Sequence, residues 1–148
     1  MPKIKLDIVT AERLVLSEEV DYVSAPGVDG MLGILPRHAP LLTALAEGEL
    51  RYKKGTEEFN FAIGGGFMEV RPDKVTVLAD SAERADEIDE ARAEQARARA
   101  ARALQEKPRV DVEFARLERA LRRAEVRLKV AKRKRGTRTP AGDQFGLE

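Results

Sequence analysis

The sequence predicts an all-β sandwich N-terminal domain followed by a C-terminal α-helical hairpin. Three observations lead there. Residues 1–80 carry short segments in which apolar side chains recur at every second position, separated by turn residues at spacings of about 8–12. From Ser81 to Arg135 the period changes to steps of three and four in a highly charged background. Lys107-Pro108 interrupts this second stretch, and a residue before proline is pushed out of helix, so the chain folds back there. The expected division is a sandwich at 1–84, a two-helix hairpin at 85–135 and a disordered tail at 136–148.

The first strand is set by Ile4, Leu6 and Ile8 alternating with Lys3, Lys5 and Asp7. Leu14-Val15-Leu16 returns after the turn at Thr10–Arg13, and Val20–Ala25 runs until Pro26-Gly27 stops it. Gly30–Leu35 reads as a short strand entering a proline-stiffened loop, because Pro36 and Pro40 bar a central sheet position. Glu49–Lys53 alternates, Lys54-Gly55-Thr56 turns, and Phe59–Ile63 leads into Gly64-Gly65-Gly66. Phe67–Val70 and Val75–Ala79 complete a set of about nine short strands, enough for a small core. The triple glycine is not a phosphate-binding loop, since no Gly-Lys-Ser/Thr follows; it reads as a bulge or as a close approach by another chain's backbone.

Asp80 or Ser81 is expected to cap the first helix, with Glu83, Asp86 and Glu87 in its first turn complementing the helix dipole. Asp111 is expected to cap the second. The second helix places Phe114, Leu117, Leu121, Ala124, Leu128 and Ala131 on one seam, and the first answers with Ala93, Ala96, Ala100 and Ala103. Alanines allow close approach but bury little: one methyl contributes only about 0.8 kcal/mol. Ordering costs about 1.5 kcal/mol per residue, so the hairpin needs docking, a partner or a ligand.

Composition removes several functions. The 148 residues contain no cysteine and one histidine, which excludes a disulfide framework, a thiolate metal site and a histidine metal cluster. No apolar run approaches the ~20 residues of a membrane span, and the N-terminus lacks a secretory h-region, so a cytoplasmic protein is expected. Charge is unevenly spread. Residues 1–80 hold nine basic and thirteen acidic side chains, net −4; residues 109–135 hold eleven and four, net +7. The second helix, with Arg116, Arg119, Arg122, Lys129, Lys132 and Arg133, is thus a basic arm on an acidic base and seeks an acidic surface or a polyanion.

Gly33-Ile34-Leu35-Pro36-Arg37-His38-Ala39-Pro40-Leu41, Gly65-Gly66-Phe67-Met68-Glu69-Val70, Val75–Asp80 and Ala82-Glu83-Arg84-Ala85 occur in an order that resembles the epsilon-subunit family of rotary F-type ATP synthases. The resemblance covers about residues 1–135. It implies a non-catalytic rotor subunit whose sandwich packs on the gamma subunit and the c-subunit ring, on the cytoplasmic face of the membrane. It implies that the hairpin is mobile and, when extended towards the catalytic alpha and beta subunits, brakes ATP hydrolysis. Met31 and His38 are then candidate subunit contacts. Many family members carry an acid where Met31 stands, so the acid needed for a salt bridge to the c ring is missing while the contact remains. The reading of His38 from its loop alone is a capped loop histidine.

Some bacterial members bind ATP in the folded hairpin through an I/L-D-x-x-R-A motif, and Ile88-Asp89-Glu90-Ala91-Arg92-Ala93 matches each specified position. The resemblance makes ATP a regulatory ligand, with no cofactor required. Glu83 lies upstream and Arg99 two turns downstream; at 100° per residue Asp89, Arg92 and Arg99 fall within roughly 80° of arc. Arg123 and Arg127 share a face of the second helix, and converging guanidiniums suit a triphosphate. Asp89 would accept hydrogen bonds from the base, and Ile88 and Ala93 would pack on it. Taken without the family, Asp89 and Arg92 make an ordinary i, i+3 surface pair. Nothing catalytic accompanies the site: no Walker lysine, carboxylate cluster or paired general base. Nucleic-acid binding fits poorly, because the arginines interleave with an apolar seam, aromatics are few and the β-part is acidic. A generic coiled-coil adaptor is the other alternative, separated by which chains co-purify.

Overall fold

A computed structural model describes the backbone of residues 2–147, with side chains described to Arg133. Eight strands form: β1 (Ile4–Val9), β2 (Leu14–Val20), β3 (Tyr22–Gly27), β4 (Gly30–Ile34), β5 (Leu41–Lys54), β6 (Glu57–Arg71), β7 (Lys74–Ala79) and β8 (Ala82–Arg84). The hydrogen-bonded path is β2-β1-β7-β6-β5-β3-β4, with β8 on β6. β1 and β7 pair in parallel; the other pairings are antiparallel. β5 and β6 are the long hairpin that joins the two layers. Their Leu41–Leu45 and Gly66–Val70 segments pair with each other beside β7, and their Glu47–Lys54 and Glu57–Gly64 segments lie between β3 and β8.

The alternation read from the sequence lands on the core. Ile4, Leu6, Ile8, Val20, Leu50, Tyr52, Phe61, Met68, Val70, Val75 and Val77 are all buried between the layers. Tyr52 stacks on Phe59 with ring centroids 4.9 Å apart. Burial pushes its phenol up to about 12.

The expected proline-stiffened loop follows β4 at residues 35–40, but the strands beyond it and across the triple glycine run longer than expected, and among the described residues eight strands form rather than nine. After Pro40 the chain resumes pairing at once, Leu41 opposite Val70, and continues to Lys54. The triple glycine does not end β6 either, and the β5–β6 register runs unbroken through it, so there is no bulge. It is a crossing point for this chain's own backbone. Gly66 sits at φ 137°, where an added Cβ would lie 2.1 Å from the Leu78 carbonyl oxygen. The Gly64 amide donates to Ser81 O at 2.9 Å, and the Asp80 amide to Gly65 O at 2.8 Å. This lets β6 exchange β7 for β8 as its neighbour.

The first helix begins later than its expected cap. Asp80 and Ser81 link β7 to β8, because the open edge of β6 captures Ala82–Arg84: Phe61 lies opposite Arg84 and Ile63 opposite Ala82. Ala85–Glu87 makes one 3₁₀ turn, and α1 runs Glu90–Glu106. Asp89 is its N-cap, accepting from the Arg92 amide at 3.2 Å. Lys107 is extended (ψ 136°) ahead of Pro108, as expected. Asp111 caps α2 (Val112–Leu147) by accepting from the Glu113 amide at 2.8 Å. The tail expected at 136–148 lies outside the described residues. No helix of the described residues is long and apolar enough to cross a membrane.

Candidate functional site

The hairpin lies against the outer face of the β5–β6–β8 layer. Strand alternation puts Glu49, Asn60 and Ala62 on that face, while Leu50 and Phe61 point into the core. A second, smaller apolar cluster forms where the helices meet it: Ala62, Ile88, Ala93, Val130 and Ala131, with Ala85, Val126 and Leu128 packed alongside. The predicted seam is in place. Ala93, Ala100, Ala124 and Ala131 are buried; Ala96, Ala103, Phe114, Leu117, Leu121 and Leu128 are half-buried. Val126 and Val130 form a neighbouring stripe on α2 that does the docking.

Acids of the sandwich meet arginines of α2 along this contact. Glu83, on β8, takes both Nε (2.6 Å) and Nη2 (3.1 Å) of Arg127. Glu49, on β5, takes Nε (2.8 Å) and Nη2 (3.0 Å) of Arg133. Arg122 reaches Glu47 at 4.0 Å. The hydrogen-bonded Glu49 carboxylate holds the Arg133 guanidinium above its ordinary value, against the opposing effect of burial. The basic arm therefore has an acidic surface within its own chain.

Two adjoining cavities share Arg123 and Arg127. One, of about 340 Å³, opens between the helices and is lined by Ala96, Arg99, Ala100, Ala103, Leu117, Ala120, Arg123, Ala124 and Arg127. The small alanine side chains create this space, since a packed leucine seam would fill it. The other, of about 240 Å³, lies between α2 and the sandwich, with Gly64, Ser81, Glu83 and Val126 in its wall. Among the described residues neither Arg99 nor Arg123 is paired with a carboxylate, so the cleft carries uncompensated positive charge.

Of the predicted nucleotide residues, Arg99, Arg123 and Arg127 are brought together in the cleft, with Glu83 beside them. The I-D-x-x-R-A segment lies elsewhere. Ile88 (3% exposed) and Ala93 (0%) are buried in the docking cluster, Asp89 caps α1, and Arg92 is exposed on the first turn. Of the predicted basic arm, Arg122 and Arg133 are docked, Arg116 pairs with Glu113 at 3.3 Å, and Arg119, Lys129 and Lys132 are exposed. Met31 is exposed on β4 at the sheet edge. The His38 ring, through Nδ1, lies 2.7 Å from Ala39 O in a loop tied by the Arg37 amide to Pro72 O. Sequence reasoning missed Glu47, Glu49 and Asn60. The available signal was the placement of Glu49 on the same face as Arg51 and Lys53, a face covered only once the hairpin folds down.

The two halves match two family models in order: the ATP synthase delta/epsilon chain β-sandwich domain over residues 3–85, and its long α-helix domain over residues 86–132. An ATP synthase epsilon chain of Herpetosiphon aurantiacus is 63% identical over 132 residues, covering 89% of this chain and 96% of the relative. One of Dehalococcoides mccartyi is 60% identical over 135 residues, 91% of this chain and 96% of the relative. Among solved structures, a chain in the Euglena gracilis mitochondrial ATP synthase (OSCP/F1/c-ring) is similar with a TM-score of 0.77 and 26% identity, over 89% of this chain and 82% of that one. A chain of the Tetrahymena thermophila mitochondrial ATP synthase central stalk and c-ring shares the fold, with a TM-score of 0.56 at 15% identity. With both domains matched in sequence order and such relatives aligned along most of its length, the chain belongs to the family of ATP synthase delta/epsilon chains, in its epsilon form.

Proposed function

We propose that this protein is a non-catalytic subunit of the central stalk of an F-type ATP synthase. Its sandwich packs on the gamma subunit and the c-subunit ring, on the cytoplasmic face of the membrane, and helps couple the catalytic head to the ring. Its hairpin is a mobile arm that inhibits ATP hydrolysis by extending towards the catalytic alpha and beta subunits. The observation that carries this reading is the separateness of the hairpin's contact. Among the described residues, five buried ones form the docking cluster against eighteen in the sandwich core, and none of the latter comes from the helices. The arm can therefore leave without opening the core, and its arginines, released from Glu47, Glu49 and Glu83, are free for another acidic surface.

ATP is the proposed regulatory ligand of the folded arm. The cleft holds Arg99, Arg123 and Arg127 at the junction of both helices, so a triphosphate there would bind the hairpin only while it is closed. Glu83 and a phosphate would compete for Arg127. A ligand at 100 times its dissociation constant favours the state it binds by about 2.7 kcal/mol. High ATP would keep the arm folded and hydrolysis unbraked; falling ATP would let it extend. The test is reconstitution of the ATPase complex with the full chain and with a chain ending at Arg84. The full chain should slow hydrolysis more at low ATP than at high ATP, and the truncated chain should bind but not slow it. Equal hydrolysis with both chains would overturn the arm as inhibitor.

A further inference from the structure

Glu49 is an unusual residue for an exposed strand face. Its side chain is only 7% exposed, yet it is a carboxylate with three donors around it: Arg133 Nε at 2.8 Å, Arg133 Nη2 at 3.0 Å, and Asn60 Nδ2 at 2.9 Å. Asn60 is itself buried and sits on the neighbouring strand, held by the Arg51–Asn60 register of the β5–β6 ladder. The sandwich thus presents a preformed carboxylate–amide pair, and α2 supplies a planar guanidinium fork that fits it in bidentate fashion. None of Glu49, Asn60 and Arg133 lines either arginine cavity. Along α2, Arg133 lies six residues beyond Arg127, about 9 Å at 1.5 Å per residue.

We propose that Glu49 and Asn60 form a catch for Arg133, assisted by Glu47 and Arg122, which holds the arm folded independently of any ligand in the cleft. The proposal rests on the mobile-arm reading and adds a second control to it: ionic strength. The burial of Glu49 depends on the arm that covers it. When the arm leaves, the carboxylate regains water instead of remaining buried and unpaired, so the catch is reversible. Arg133 is 41% exposed and Arg122 60%, so salt reaches the basic side of both contacts. The screening length falls from about 10 Å at 0.1 M to about 3 Å at 1 M, and the catch should weaken over that range.

The chain contains no cysteine, so two can be introduced for labels without removing native ones. Spin labels at Glu12→Cys, in the β1–β2 turn, and Glu118→Cys, on the exposed side of α2, report arm position in the full chain by pulsed dipolar distances. Without nucleotide, Arg133→Gln should raise the ratio of released to folded arms about ten- to hundredfold, the range expected for a charge-assisted bidentate contact. Glu49→Gln should act in the same direction. The charge swap Glu49→Arg with Arg133→Glu should restore the folded distance, because the Asn60 amide can turn its oxygen towards the arginine. High salt should release the native arm and leave the already released variants little changed. Arg133→Gln alters a partly exposed helix position, so it is informative even if a Glu49 variant unfolds the sandwich. Unchanged released fractions in Arg133→Gln at both salt concentrations, while Arg127→Gln or removal of ATP does release the arm, would overturn the catch and leave the mobile arm standing. An arm that stays folded in every variant and at every salt and nucleotide concentration would overturn both.

Discussion

Asp89→Ala separates two roles that the sequence superimposes. In the structure the Asp89 Oδ1 accepts from the Arg92 amide at 3.2 Å, with backbone φ −84° and ψ 104°, and α1 starts at Glu90. Replacing such a cap by alanine costs about 0.5–2 kcal/mol. α1 has little packing to absorb the loss, because Ala93 and Ala100 are its only buried residues. We expect a local destabilisation of about 1 kcal/mol, roughly a fivefold increase in opening of the first turns. Serine caps comparably, so Asp89→Ser should stay within a few tenths of a kcal/mol of the native chain. Hydrogen exchange of the α1 amides in the full chain reads this directly: faster by about fivefold in the alanine variant, near native in the serine variant. Native-like exchange in Asp89→Ala would refute the capping argument, as would equal acceleration by serine. If Asp89 also holds the base of ATP, serine will keep native exchange but lose nucleotide affinity.

Two further outcomes follow from the sandwich. Arg37 has φ 69°, a left-handed conformation that costs a non-glycine residue about 1–2 kcal/mol, partly offset in a glycine variant by about 0.5–1 kcal/mol of extra unfolded-chain freedom. Its side chain is exposed, so Arg37→Gly should raise the thermal midpoint by a few degrees; an unchanged or lower midpoint would show the turn is unstrained. For Asp7, burial pushes the carboxyl up, but the Ser17 hydroxyl and the Lys74 ammonium outweigh it and hold the group below its ordinary 3.8. A folded-state value lower than the unfolded one gives stability that is present above the unfolded value and lost as pH falls through the folded one. Asp7→Asn should therefore be less stable at neutral pH and show a flatter acid limb below about pH 4 in urea unfolding; an identical acid slope would remove Asp7 from that account.

The sequence was most legible where one local period decides the structure. Ile4, Leu6 and Ile8 alternate and are buried; the alanine and leucine steps of the hairpin do meet; Pro108 and Asp111 set the turn between the helices. It was least legible where a distant segment decides. Ala82–Arg84 has no strong strand preference and becomes a strand because β6 has a free edge there. That capture moves the start of α1 to Glu90 and places Glu83 against Arg127. Gly64–Gly66 reads as an interruption, yet close contact with Leu78 and Ser81 is what those residues permit, within one continuous strand. The arginine cleft was half visible. Helical periodicity aligned Arg123 with Arg127, but only the register between α1 and α2 brings Arg99 to them and leaves Arg92 outside. The acids that hold the arm were hidden because Glu47 and Glu49 sit on a strand face that looks solvated until α2 covers it.

Calorimetric titration of the full chain with ATP, beside Arg123→Gln, tests the regulatory reading most directly, because Arg123 lines both cavities and has no carboxylate partner among the described residues. We predict saturable binding to the native chain, lost or greatly weakened in Arg123→Gln, with the sandwich's thermal unfolding unchanged. Absence of binding at millimolar ATP, or equal affinity in the variant, would contradict the proposal that this cleft makes the folded arm a nucleotide sensor.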